Sequence, residues 1–283
     1  MCGIAGILDW QGRGQAARRH ELTSMAAQLR HRGPDGEGYH CDHHIGLAHT
    51  RLSIIDLATG DQPIHNEDQS IWVVFNGEIF NYIELRKELE QRGHRFYTRT
   101  DTEVIVHLYE EYGEGFASHL NGQFAIALWD ANSKRLLLVR DRVGIVPLFY
   151  TRQQGRILFA SEVKGLLPLF QAAPSLHLPA LDQVFTFWAP VSPATLFSGV
   201  LEVSPGTMLV CEAGGERLER YWDWQFPVED QQYLEGDEAA LQEQLRSLLV
   251  DATQIRLRAD VPVGSYLSGG LDSSVLASMV ANH

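Results

Sequence analysis

Three cysteines in 283 residues, at positions 2, 41 and 211, are too few and too scattered for a disulfide framework or a paired-cysteine zinc site. Their scarcity suits a reducing compartment. Long apolar runs are missing too. The stretch behind Met1 is far shorter than the ~20 residues a spanning helix needs, and no basic leader or cleavage site precedes it. A cytoplasmic chain with no membrane partner is therefore expected. Basic residues are in deficit, 23 Lys and Arg against 36 Asp and Glu. The formal charge of −13 repels phosphate backbones and anionic lipid, so nucleic acid is not an expected partner.

What the chain does contain is an ordinary globular composition, 45% hydrophobic and 21% charged, over a length generous for one core. Two domains, or one plus part of another, are expected. Apolar runs with strand character occupy 3–10, 44–55, 70–80, 122–142 and 147–162. The last two read as hairpins, because "DANSK" and "RQQGR" place turn residues between apolar flanks. Helices are expected over 18–30, 81–93 and 101–113. In the last of these, Val104, Leu108 and Tyr112 recur at helical spacing behind a Thr100-x-x-Glu103 capping box. Hairpins plus helices, outside any βαβ alternation, predict an α+β fold of stacked antiparallel sheets.

From 223 to 236 the sequence becomes acidic, aromatic and irregular, and reads as a linker. Residues 237–259 form an expected amphipathic helix with Leu241, Leu245, Leu248, Leu249 and Ile255 on one face. The remainder, 261–283, reads as strand, glycine-rich turn and helix, the start of an α/β domain whose sheet is not completed within the chain. In "SGGLDSS" (268–274), glycines behind a strand let the backbone approach a ligand, and a helix N-terminus offers free N–H groups to an anion. No lysine follows the glycines, so this is not a Walker loop. The alternative is a plain turn with an aspartate or serine cap and a helix starting at Asp272-Ser273.

Cys2 has two readings. It is a small hydrophobe opening a buried strand, or, once Met1 is removed, a thiol and a free α-amine on one residue. On the second reading Gly3 is the small neighbour that lets substrate approach. In "FNGEIFN" (75–81), the Asn76 amide and the Gly77 N–H suit a developing oxyanion, and Glu78 suits a cationic amine. A turn leading into a helix capped by Asn81 is the structural alternative. Arg51 in "HTRLSIID" offers its planar fork to a carboxylate, or simply makes a salt bridge. Asp101 stands at a helix start, where acids are favoured for structural reasons alone. Taken together, these groups fit an α-amino acid with a side-chain amide. His40, Cys41, His43 and His44 crowd one turn, but they alternate in direction and no second cluster completes a tetrahedral set, so no metal site is expected. Cys41 and Cys211 are expected to be inert or merely exposed thiols.

The ordered segments "MCGIAGI", "RHRGPDG", "AHTRLSIID", "FNGEIFN", "TDTEV", "NGQFAIALWD", "RDRVGIVPLFY" and "FASEVKGLL" resemble the class II glutamine amidotransferases. "SGGLDSS" resembles the pyrophosphate loop of ATP pyrophosphatases, so the whole chain is similar to the N-terminal half of the glutamine-hydrolysing asparagine synthetases. The resemblance implies an N-terminal-nucleophile αββα sandwich over 1–222, a linker over 223–236, and the start of an ATP-pyrophosphatase domain over 237–283. It implies Cys2 as nucleophile, Asn76 and Gly77 as oxyanion hole, and Arg51, Ile54, Glu78 and Asp101 as further glutamine-binding residues. Leu267, Ser268, Gly269, Gly270, Asp272, Ser273 and Ser274 correspond to ATP-binding positions. ATP with Mg2+ is implied for the synthetase half and no cofactor for the glutaminase half. Glutamine and aspartate are the implied substrates, and a homodimer the implied assembly. Val146 departs from relatives that carry lysine there. The alternatives are an enzyme that amidates a different adenylated carboxylate, and a non-catalytic regulatory module that kept the fold.

Overall fold

Strands that are apolar on both faces need a layer on each side, and this requirement organises the first of two units. A computed structural model describes residues 1–11, 15–226 and 236–282, which divide into compact units at Met1–Asp223 and Trp224–His283. The first unit begins with β1 (Gly3–Asp9), α1 (Gln15–Ala27), β2 (Gly36–Cys41), β3 (Ile45–Arg51), β4 (Ile64–His65) and β5 (Ile71–Ile79). It continues through α2 (Tyr82–Gln91), α3 (Glu103–Tyr112), β6 (Gly122–Asp130), β7 (Arg135–Arg140), β8 (Phe149–Gln153) and β9 (Arg156–Ala160). Then follow α4 (Leu178–Phe187), β10 (Val200–Glu202), β11 (Thr207–Glu212) and β12 (Gly215–Arg220).

One sheet has the order β10-β8-β9-β1-β3-β2 and the other β12-β11-β7-β6-β5-β4, with antiparallel pairing throughout. Alternation along each strand assigns its residues to different cores. Ile4 and Leu8 of β1 meet Ala125, Ala127 and Trp129 of β6 between the sheets. Ala5 and Ile7 face the other way, against Leu22 and Met25 of α1. Phe124, Ile126 and Leu128 of β6 pack with Val104 and Leu108 of α3 and with Leu85 of α2. The layers are therefore α1, sheet, sheet, and α2 with α3, which is the expected αββα sandwich.

Both expected hairpins form, as β6–β7 and β8–β9. The β11–β12 hairpin was not expected, since β12 is an exposed, polar edge strand. The run 44–55 does not remain a strand to its end. Asp35 accepts the Ser53 N–H at 2.8 Å and donates its own N–H to Arg51 O at 2.9 Å, turning Leu52–Ile55 into a loop. The Thr100–Glu103 capping box is also absent. Thr100 Oγ1 instead accepts the Thr102 N–H, while the buried Glu103 carboxylate accepts the N–H groups of Tyr97 and Thr98. Val146 is wholly buried in the inter-sheet core, a site that suits valine and would strip a lysine of water.

The second unit contains α5 (Glu238–Ile255), whose N-cap Asp237 accepts the Ala240 N–H at 3.2 Å, and α6 (Leu271–Asn282). The helix stops short of residue 259, and α6 begins at Leu271, one residue before the expected start. The expected strand from 261 is not formed, because a parallel strand needs a neighbour and none pairs with it among the described residues. Leu245 and Leu248 are exposed. Residues 227–235 of the expected linker lie outside the described residues. Among the described residues no helix is long and apolar enough to cross a membrane.

Candidate active site

Cys2 immediately precedes β1, an interior strand held between β3 and β9. Next to it the Ile4 N–H donates to Ser161 Oγ at 2.9 Å, and the Ser161 N–H donates to Ile4 O at 2.9 Å. Gly3 is small for packing: a Cβ there would lie 2.5 Å from Thr50 Oγ1 and 2.9 Å from Leu29 Cβ. It does not line the cleft, which corrects its expected role of admitting substrate. Arg32 Nε donates to Cys2 O at 2.8 Å, and Arg32 Nη1 is paired with Glu162 at 2.8 Å. The Cys2 thiol donates to Leu52 O at 3.6 Å and accepts the Leu52 N–H at 3.4 Å. Burial pushes this thiol's pKa up and the terminal ammonium's down. The lowered amine is that of Met1, and the raised thiol keeps Cys2 neutral.

Cys2 opens into a cleft of about 550 Å³, solvent mouth included. Arg51, Ile54, Gly77, Glu78 and Asp101 line it as well, so the structure brings together six residues named from the sequence. Arg51 comes from the end of β3, Gly77 and Glu78 from β5, and Asp101 from the approach to α3. Arg51 Nη1 pairs with Asp61 at 2.7 Å, so a ligand carboxylate would compete with an exposed aspartate for this fork. Asp101 is nearly fully buried. It accepts the Ile79 N–H at 2.9 Å and the Thr100 hydroxyl at 3.1 Å, and burial raises its pKa to about 6. A carboxylate so poor in positive partners is set up to receive a cation. Glu78 adds negative potential at both Asp101 and the chain's terminal amine.

Gly77 lies where β5 pairs with Phe124 of β6, and a Cβ would stand 2.0 Å from Gln123 O. Asn76 is not on the cleft wall. It is wholly buried beside it, and among the described residues neither Nδ2 nor Oδ1 has a partner. An orphaned buried amide next to a cleft is the kind of exception that calls for a ligand or a moving group. Gln62, Thr100, Thr102 and Gln123 also line the cleft and were not singled out as site residues. Thr100 and Thr102 flank Asp101 in "RTDTEV", which was the available signal. Gln62 is placed only by tertiary structure, with Oε1 accepting the Phe75 N–H at 2.6 Å and Nε2 donating to Thr102 at 3.3 Å.

In the 40–44 cluster, His40 stacks on Trp72 at 3.8 Å and His44 tilts against Trp10, while the His43 and His44 rings meet edge-on at 4.8 Å. In the second unit, Leu267 and the Ser268–Ser274 loop form a separate, exposed candidate site. Gly269 has φ 85° with nothing within 4 Å of a would-be Cβ, and the Ser273 and Ser274 hydroxyls donate to Gly270 O at 3.1 and 2.8 Å. This is an open glycine cradle at the N-terminus of α6, which fits a phosphate group.

Residues 1–222 match the family described as "Glutamine amidotransferase domain", and residues 244–283 match that described as "Asparagine synthase". The chain is 40% identical over 282 residues to asparagine synthetase (glutamine-hydrolyzing) 1 of Bacillus subtilis strain 168, covering 99% of this chain and 44% of that protein. It is also 40% identical over 296 residues to Amidase chry2 of Gibberella zeae, covering 100% of this chain and 43% of that protein. It thus spans less than half the length of these curated relatives. Among solved structures it is similar to the allosteric regulatory enzyme of purine biosynthesis, with a TM-score of 0.58, 20% identity, and 78% of this chain and 49% of that chain covered. The B. subtilis glutamine phosphoribosylpyrophosphate amidotransferase aligns with a TM-score of 0.53 and 21% identity over the same shares. At that identity the two structures speak for the fold alone.

Proposed function

Because the chain belongs to the glutamine amidotransferase domain family, we propose that it hydrolyses the side-chain amide of glutamine at Cys2 and hands the ammonia to a synthetase half that makes asparagine. The observation that carries this reading is the cleft itself: one thiol, one arginine and two carboxylates line it together. Arg51 takes the α-carboxylate, and Asp101 and Glu78 take the α-ammonium. The amide carbon then lies towards Cys2, with Gly77 and Asn76 beside it.

Removal of Met1 exposes the Cys2 α-amine, whose ordinary pKa of about 7.7–8.0 leaves a useful neutral fraction at neutral pH. The thiol proton passes to this amine as sulfur bonds to the amide carbon. The carbonyl oxygen becomes an oxyanion held by the Gly77 N–H, and a turn of the buried Asn76 side chain towards the cleft would give its orphaned Nδ2 a partner there. Collapse returns the carbonyl, the ammonium gives its proton to the departing nitrogen, and ammonia leaves. Water then attacks the thioester, releasing glutamate and restoring the thiol.

ATP is a substrate in this scheme, bound with Mg2+, and it activates a carboxylate for attack by ammonia. Leu267 and the Ser268–Ser274 loop, including Asp272, would hold it, the Gly269–Gly270 backbone approaching the phosphates and the Ser273 and Ser274 hydroxyls turning from Gly270 O to donate to them. Aspartate is the proposed acceptor and the cytoplasm the proposed setting. The equal identity to a Gibberella zeae amidase favours, as second reading, a different acid as acceptor.

Ammonia release from glutamine, wild type against Cys2→Ala, tests the first half. Activity surviving in Cys2→Ala overturns it, and no activity in the wild type favours the non-catalytic module. Supplying the complete synthetase with ATP and a panel of acids, and following pyrophosphate, identifies the acceptor.

A further inference from the structure

On the outer face of the α2–α3 layer, four side chains from three segments turn one atom each towards a common point. They are Glu67 from the turn behind β4, His94 just past α2, and His107 and Glu110 one helical turn apart on α3. Their converging atoms all lie within 4.8 Å of one another. Glu110 Oε2 is 2.8 Å from His107 Nδ1 and 3.3 Å from His94 Nδ1, and Glu67 Oε2 is 3.8 Å from His107 Nδ1. A tetrahedral zinc site with bonds of about 2.0–2.2 Å has ligand-to-ligand edges of about 3.4 Å, which these distances bracket.

The outward atoms carry the stronger observation. Three of the four residues are anchored by a hydrogen bond on the side facing away from the common point. His94 Nε2 is 2.9 Å from Glu111, which Arg92 holds in turn at 2.9 Å. His107 Nε2 faces the buried Glu103 at 3.7 Å, with no nearer partner among the described residues. Glu110 Oε1 accepts the Asn66 amide at 2.8 Å, and Glu67 Oε1 accepts the Arg95 N–H at 2.9 Å. A carboxylate bonded behind His94 and a donor behind each glutamate are the support that fixes metal ligands in orientation, and the buried Glu103 lies on the outward side of His107.

We propose that Glu67, His94, His107 and Glu110 bind one zinc-like divalent transition-metal ion, distinct from the glutamine cleft and independent of the reaction assigned to it. Two imidazoles and two carboxylates select zinc or its neighbours over magnesium or calcium, which prefer oxygen alone. The two carboxylates balance the charge of a divalent ion. The ion would clip the β4–β5 turn and the end of α2 to α3, the helix whose approach carries Asp101. Its role is structural.

The test is zinc content after dialysis of the full chain against buffered zinc, with cobalt as a spectroscopic substitute. One zinc per chain and a tetrahedral cobalt spectrum are expected. Glu67→Gln and His94→Gln, both at surface-reachable positions, should each abolish the cobalt spectrum while circular dichroism stays native. Glu111→Gln, which touches none of the four converging atoms, should weaken zinc binding about 10–100-fold. His43→Gln, in the turn before β3, should leave it unchanged. Absence of retained zinc, or retention unaltered in a Glu67→Gln/His94→Gln double variant, overturns the proposal and leaves a network of ion pairs.

Discussion

Replacing Asp101 with asparagine should make the protein more stable and useless to glutamine at once. Burial lifts the Asp101 pKa from an ordinary 3.8 to about 6. Between those values the folded state keeps a proton that the unfolded chain has released, so stability falls as pH rises through the window, and the full cost is present above pH 6. At about 1.36 kcal/mol per pH unit, the cost is ~3 kcal/mol at pH 8. Asparagine never ionises and escapes it. The amide oxygen can still accept the Ile79 N–H, while the contact with the Thr100 hydroxyl is weakened, a loss of about 1 kcal/mol. The net expectation is a gain of about 2 kcal/mol at pH 8, shrinking to zero or slightly below at pH 4. Urea unfolding of both proteins at the two pH values measures it. Saturating glutamine should raise the wild-type midpoint at pH 8 and leave Asp101→Asn unmoved. A variant less stable than wild type at pH 8, or a difference that does not change with pH, refutes the reasoning.

In the proposed reaction, the wild-type KM for glutamine should climb as pH falls through about 6, because the protonated Asp101 cannot pair with an ammonium; initial rates across pH give this directly. Gly77→Ala should lose about 3 kcal/mol or more, since the methyl would meet Gln123 O, and a thermal melt close to wild type would contradict it. Arg51→Lys keeps the charge but loses the fork, so KM should rise about tenfold with the fold intact. Against burial, which raises it, Arg32, Lys164 and His31 hold the Glu162 carboxyl down to about 2. Its contribution is thus complete above the ordinary 4.5 and fades as pH falls towards 2. Glu162→Gln should cost about 1 kcal/mol at pH 7 and nothing near pH 2, and it should lower kcat by loosening Arg32 from Cys2 O.

The sandwich was legible where one strand face or one turn carries its own signal. The β6–β7 and β8–β9 hairpins declare themselves through turn residues, whereas β12 gains its place by pairing with β11 and shows no apolar stripe. Site residues were legible when their chemistry is rare at their position: a thiol at residue 2, an arginine ending a buried strand, a glycine inside one. Gln62 and Gln123 are ordinary polar residues until folding brings them to the cleft. Asn76 shows the reverse difficulty: its residue type predicted a role at the wall, yet its side chain is packed behind it. The four-residue cluster was missed because only His107 and Glu110 share a helix, and the other two join through tertiary contacts. The strand before "SGGLDSS" depends on a neighbour that the described residues do not supply.

The position of β1 has a consequence in time. Its first partner, β3, is synthesised within some 50 residues, but the Ile4–Ser161 contact spans 157 residues. At about 5–20 residues per second, ~8–30 s pass before a ribosome delivers the strand that closes the sheet beside Cys2. During that interval the amino end is unsheathed, and a ribosome-associated peptidase has free access to Met1. In the proposed reaction, removal of Met1 would then precede the fold that confines Cys2, so the order of synthesis keeps processing and packing from competing for the same residue.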